Sequence, residues 1–337
     1  MLQNLNIRHL AGFTLLMGVV GCSSPPPQAP ATSSVVPDAG SQSRPSVVAT
    51  TSILCDLTKQ VAGETINLKC LVGPGVDPHL YQPKPEDRKA MDSANLIFYA
   101  GYDFDPSLVK LVKATSNPVP KIAVHEVAVP QPILGETHDH GDEKHAHAEG
   151  ETAPDPHIWH DAQNGIRMVE TISNSLEKLT PNHTSLYENN AQKITLELQQ
   201  IDTWIKSQIA TIPPAQRKLV TTHDALGYYV KAYGLSFEGA LGGFSTEEAP
   251  TAARVSELVK EIKSAGVPTI FAETTINPKL IERVAKEAKV KVSDRELFAD
   301  GLGEPGKDGE SYQEMLLANT RTVVEGLGGQ YTPFAVK

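Results

Sequence analysis

Beyond residue 45 the chain alternates short apolar runs with amphipathic stretches. "SVVAT", "INLKCLV", "NLIFYAG" and "KIAVH" read as strands, and "LCDLTKQVAG", "KPEDRKAMDSA" and "PSLVKLVKAT" between them read as helices. Such alternation predicts a mostly parallel sheet covered by helices, because parallel neighbours need a crossover connection. The pattern stops near Ala128, and a polar, histidine-rich loop reaches to Pro156. It then returns. "RKLVTTH", "LSFEGAL", "TIFAE" and "VKVSD" read as strands, and "ALGYYVKAYG", "TAARVSELVKEIKSAG", "PKLIERVAKEAK" and "SYQEMLLANTRTVVEGLGG" as helices. The fold class expected is α/β, in two similar halves.

Between the halves, Tyr187, Ala191, Ile194, Leu198, Ile201, Ile205 and Ile209 recur at spacings of three and four. They mark one face of a long helix over 181–212, opened by a proline and free of internal glycine or proline. At 1.5 Å per residue it forms a rod on the order of 45 Å. A core helix of one domain would show the same face; the length favours a strut joining two lobes. The division expected is an N-terminal α/β lobe over 46–180 with a histidine-rich loop at 137–150, a linking helix over 181–212, and a C-terminal α/β lobe over 213–337.

The start of the chain follows different rules. Arg8 and His9 precede "LAGFTLLMGVVG", an apolar run too short to span a bilayer but suited to the centre of a signal peptide over 1–21. It ends in "VVGC", which resembles a bacterial lipobox with Cys22 as the lipidated residue. The Ser-, Pro- and Ala-rich stretch after it, to residue 45, cannot form a core and suits a disordered tether. The expectation is an exported protein, lipid-anchored to the cell membrane and facing the periplasm or cell exterior.

A length of 337 residues with 40% hydrophobic content allows two domains with cores of their own. The net charge of −10, with no basic patch, argues against a nucleic-acid partner. Export also bears on Cys55 and Cys70. In an oxidising compartment they can form a disulfide, and closing a loop of roughly 15 residues is worth about 3 kcal/mol in the chain-entropy model. The plain alternative is two small buried apolar residues.

Four residues follow a strand or loop at the edge of an expected sheet, where ligands of open α/β sheets bind. They are His79 in "VDPHLYQP", His157 in "DPHIWHD", His223 in "TTHDALGYY" and Asp300 in "ELFADGLG", two from each half. Three imidazoles and a carboxylate suit a borderline divalent metal such as zinc. Singly, each reads equally well as a solvated or core residue.

Together, "VDPHLYQPKPEDRKAM", "DPHIWHDAQNG", "THDALGYYVKAYGL", "IFAETTINPKLIERVAKEAKV" and "ELFADGLGEPG" resemble the substrate-binding lipoproteins of bacterial zinc and manganese ABC importers. These are the cluster A-I solute-binding proteins, also called the metal-binding adhesin-type family. The resemblance covers nearly all of the chain after residue 46. It implies two α/β lobes joined by one rigid helix, with the metal in the cleft between them. It places the ligands on His79, His157, His223 and Asp300. The third position is glutamate in many manganese-binding members; histidine here leans toward Zn²⁺ without excluding Mn²⁺. The partners implied are an ABC permease in the cytoplasmic membrane and a separate ATPase subunit, with the binding protein a monomer.

The resemblance divides the remaining histidines. His160 either faces elsewhere or stands behind the site. His138, His140, His145 and His147 lie among Asp, Glu, Gly and Ala without periodicity. They form either an auxiliary loop that binds zinc weakly and exchanges it quickly, or a solvated insertion. "HDHGDE" lacks the strand and following histidine of a metallo-hydrolase. "GLGEPGKD" has Asp308 where a phosphate-binding loop needs Ser or Thr, and too little chain follows for a nucleotide domain. "NHT" at Asn182 is a glycosylation sequon by pattern only. The expected function is non-enzymatic: capture of Zn²⁺, or alternatively Mn²⁺, and delivery to the permease. A zinc hydrolase and a surface adhesin are the rival readings.

Overall fold

The computed structural model describes residues 44–136 and 152–335. The expected signal peptide, Cys22, most of the expected tether, and His138, His140, His145 and His147 therefore lie outside the described residues. Among the described residues no helix is long and apolar enough to cross a membrane.

The first half runs β1 (Ser46–Ala49), α1 (Ser52–Ala62), β2 (Asn67–Cys70), α2 (Pro85–Ser93), β3 (Leu96–Tyr99), α3 (Pro106–Ala114), β4 (Lys121–Ala123) and α4 (Val124–Ala128). Its four strands are parallel in the order β2-β1-β3-β4. Central β1 buries Val47, Val48 and Ala49, while edge strand β2 alternates exposed and half-buried positions. Thr51 caps α1 by accepting from the Leu54 N–H, and Gly63 ends the helix at a φ of 55°. Cys55 on α1 and Cys70 at the end of β2 are joined by a disulfide, with Cα atoms 5.6 Å apart.

Three elements depart from the pattern of the sequence. The run "KIAVH" stops as a strand at Ala123, because the His125 N–H bonds to Ala100 O and the chain turns into α4. Within the expected loop, β5 (Leu134–Glu136) pairs antiparallel with β6 (Thr152–Pro154), a contact across 15 intervening residues that local patterning does not announce. Then α5 (Ala162–Leu179), capped by Asp161 through the Gln163 N–H, is a helix that the strand–helix alternation did not single out.

A 3₁₀ turn over Pro181–His183 leads into α6 (Thr184–Ile209). Its 26 residues span about 39 Å. Tyr187, Ile194, Leu198, Ile201, Ile205 and Ile209 are buried, and Ala191 is partly so. α6 packs on α5 and α1 of the first half and on the last helix of the second. It is thus both a link and a core helix.

The second half runs β7 (Lys218–His223), α7 (Gly227–Tyr233), β8 (Ser236–Gly242), α8 (Ala252–Ala265), β9 (Thr269–Ile270), α9 (Lys279–Ala288), β10 (Lys291–Val292) and α10 (Tyr312–Gly326). β7 pairs parallel with β8, and β9 with β10. A backbone bond from the Phe271 N–H to Val220 O at 3.0 Å links the pairs in the order β8-β7-β9-β10, the same winding as in the first half. The largest apolar cluster is shared: Leu54, Phe98, Trp159 and Ile172 join Ile201, Tyr229, Phe271 and Met315. Gly165 on α5 lies against the Tyr312 ring, and a Cβ there would collide with it. Tyr312 Oη donates to Trp159 O at 2.6 Å, drawing α10 close to α5.

Candidate metal centre

Each candidate ligand is placed by backbone that already has its own reason to turn. The tripeptide Asp-Pro-His occurs twice and folds alike both times. Asp77 Oδ1 accepts from the His79 N–H at 2.9 Å, and Asp155 Oδ1 from the His157 N–H at 2.9 Å. This is the local aspartate turn that competes with regular structure. His79 sits in the loop after β2, and His157 follows β6. His223 is the last residue of β7, and Asp300 lies in the segment after Leu297, which bridges to Glu273 beyond β9.

The four side chains meet. His79, His157, His223 and Asp300 are buried, and their ligand atoms all lie within 4.8 Å of one another. Asp300 Oδ1 lies 3.2 Å from His223 Nε2, 3.3 Å from His157 Nε2 and 3.7 Å from His79 Nε2. These separations are close to the edge of a tetrahedron with zinc-ligand bonds of about 2.0–2.1 Å, which is roughly 3.4 Å. None of the three Nε2 atoms and neither Asp300 oxygen has a hydrogen-bond partner. Buried polar atoms left so cost on the order of 1–3 kcal/mol each, and a shared cation satisfies all of them at once.

Carboxylates stand behind two of the rings. Asp155 Oδ1 also accepts from His157 Nδ1 at 2.8 Å. Glu273 Oε2 accepts from His223 Nδ1 at 2.5 Å, while its Oε1 accepts from the N–H groups of Thr222 and His223 at 2.8 and 3.0 Å. Fixing the proton on Nδ1 turns Nε2, as a lone pair, toward the centre. His160 points to the same region from behind. Its Nε2 donates to Ala299 O at 2.8 Å, and Trp159 Nε1 donates to the same oxygen at 3.2 Å, next to Asp300. Burial and then the charge of His157 push His160 down to about 3, so it is neutral.

The cluster's electrostatics oppose its burial. Burial disfavours charge on His157, but the bond to Asp155 and the nearby carboxylate of Asp300 outweigh it and raise this imidazole. His223 is likewise raised well above 6.5, since Asp300 and Glu273 overcome the burial. Burial would raise Asp300, yet the charges of His223 and His79 hold it well below 3.8. The centre therefore attracts positive charge, whether protons or a metal cation.

Sequence reasoning missed Glu273 and the orienting part of Asp155. The signals were present: "DPH" twice, and a glutamate just beyond a buried strand in "TIFAE". What was not visible was that Glu273 stands next to His223, 50 positions away.

The profile described as zinc-uptake complex component A, periplasmic, matches residues 47–326. The manganese ABC transporter substrate-binding lipoprotein PsaA of Streptococcus mitis is 33% identical over 297 residues, 86% of this chain and 91% of that protein. The manganese-binding lipoprotein MntA of Bacillus subtilis is 31% identical over 285 residues, 83% of this chain and 89% of its own length. Among solved structures, the periplasmic zinc binding protein TroA of Treponema pallidum superposes with a TM-score of 0.76 at 30% identity, covering 84% of this chain and 99% of that one.

Proposed function

The chain belongs to the zinc-uptake complex component A family, and from that premise we propose that it binds a divalent cation between its two halves through His79, His157, His223 and Asp300. It is a metal-binding solute-binding protein of an ABC importer. The observation that carries the ligand assignment is the set of buried ligand atoms without hydrogen-bond partners, gathered at near-tetrahedral spacing.

Zn²⁺ is the cargo proposed. Three imidazoles and one carboxylate suit it, and at a fixed nitrogen and oxygen site it binds more tightly than Mn²⁺. One observation favours the manganese alternative. Asp300 Oδ2 is also free of partners, so the carboxylate can bind through both oxygens and give the higher coordination manganese prefers. Four protein ligands leave no open position for an activated water, which supports a carrier over a zinc hydrolase.

The partners proposed are a membrane permease and a separate ATPase subunit, with this protein acting as a monomer. It is tethered through lipid on Cys22 outside the cytoplasmic membrane. The functional lobes are 46–180 and 213–337 with the helix over 181–212 between them, and the histidine-rich stretch 137–150 is a weak auxiliary zinc binder. The test of the cargo is elemental analysis of the purified mature protein followed by zinc and manganese competition. One tight zinc equivalent is expected, and a protein retaining neither metal overturns the reading.

A further inference from the structure

The Cys55–Cys70 disulfide stands where it bears on the metal centre. β2 is an edge strand of its sheet, paired among the described residues with β1 alone, and none of its four residues is fully buried. Its pairing continues past the last strand residue, where the Leu71 and Val72 N–H groups donate to Ala49 O and Thr50 O at 3.1 and 3.0 Å and both side chains are buried. Cys70 is the last residue of β2, just before this run and the loop that carries His79. The disulfide ties it to Cys55, in the first turn of α1.

The two segments joined in this way converge on Leu302, two residues after Asp300. From the α1 side, Ser52 Oγ accepts from the Leu302 N–H at 3.1 Å. From the β2 side, the Gly75 N–H donates to Leu302 O at 3.1 Å. Both backbone polar groups of Leu302 are held by chain that the disulfide fastens together. The fit is close: a Cβ added at Gly301 would lie 3.0 Å from Ser52 Oγ.

We infer that the Cys55–Cys70 bond is a positioning element for the metal centre, fixing together the segment that presents His79 and the clasp that holds the Asp300 loop. This rests on the reading of the four-residue cluster as a metal site. Breaking the bond loosens two ligands at once, while the shared apolar core maintains the fold. Metal affinity thereby depends on the redox state of the pair. A dithiol reductant cleaves the S–S bond by exchange: two electrons and two protons pass to the cysteines, giving two thiols, and the reductant becomes a disulfide.

The test compares zinc affinity and release rate by competition with a chromophoric chelator. Four samples are needed: oxidised protein, protein reduced with a phosphine, which becomes its oxide, protein reduced and then reoxidised, and the Cys55→Ser, Cys70→Ser double variant. Each is measured where circular dichroism shows it folded. A roughly tenfold loss of affinity, carried by faster release, is expected in the reduced and double-variant forms, with recovery on reoxidation. Unchanged affinity and release in the folded reduced protein overturns the inference. If the reduced and variant forms both unfold, Ser52→Ala with the disulfide intact decides: a roughly tenfold loss supports the inference, and unchanged affinity overturns it. Oxidised protein that binds neither zinc nor manganese removes the metal-site reading instead.

Discussion

Glu273 holds His223 at both its backbone and its ring. Oε1 accepts the main-chain N–H at 3.0 Å, and Oε2 accepts Nδ1–H at 2.5 Å. One buried carboxylate thus sets the position of the residue, the rotation of its imidazole and the tautomer that faces Asp300. Replacing Glu273 with Gln keeps the shape but removes the charge and one acceptor. Zinc affinity should fall about 10- to 100-fold, with the circular dichroism spectrum unchanged. Competition titration of the variant checks this, and wild-type affinity would show that the ring is positioned by packing alone.

Changing His223 to Ala removes one of the four proposed ligands. Tight zinc binding should weaken by more than roughly a hundredfold, beyond the range for an orienting partner. The fold should persist, because His223 contributes to the polar centre and not to the apolar clusters. Calorimetric titration with zinc, beside a thermal melt of the metal-free variant, separates the two effects. Unchanged affinity would remove His223 from the ligand set.

The metal-free and metal-bound proteins should respond to pH in opposite directions. Despite burial, His157 and His223 are raised above the ordinary imidazole value near 6.5, so protons compete with a metal for them to higher pH than at a free imidazole. Zinc affinity should therefore rise with pH through and beyond 6.5, with proton release on binding. Stability from the protonated imidazoles is full below their unfolded value and is lost as pH rises through the folded values. The melting temperature of the metal-free protein should accordingly fall as pH rises through and above about 6.5. Melting curves and affinities over that range check both slopes, and a metal-free melting temperature that rises with pH would contradict the assignment.

Deleting residues 137–150 while keeping Asp155, Pro156 and His157 should abolish extra, weak zinc equivalents and spare one tight equivalent. The stretch has no apolar periodicity to hold its histidines, and ordering a polar segment costs about 1–2 kcal/mol of backbone entropy per residue. His79, His157 and His223, the proposed ligands, are already placed by a strand and aspartate turns. Calorimetry on the two proteins decides the matter. Loss of the tight equivalent with the deletion would mean that the site had been assigned to the wrong histidines.

Much of the architecture was legible because it is written locally. Strand runs such as "SVVAT" and "RKLVTTH" and the three-and-four spacing of Tyr187, Ile194 and Ile201 report periodicities that neighbouring residues impose on each other. The pairing of β5 with β6 was not legible, since its stability comes from a partner 15 residues beyond its end. The strand ending of "KIAVH" was misplaced for a similar reason, because a bond from the His125 N–H to Ala100 O turns the chain early.

By itself the sequence determined the α/β class, the long central helix and four side chains able to hold a metal, because residue type and short-range spacing carry that information. Only the tertiary structure decided that those side chains converge, that Asp155 and Glu273 aim two of the rings, and that α6 is core as well as link. Each depends on distances between residues far apart in the chain. His223 and Glu273 become neighbours when β9 lies beside β7, and Leu302 comes to Ser52 when α10 docks across α1 and α6. Packing of whole elements sets these separations, and no local pattern encodes them.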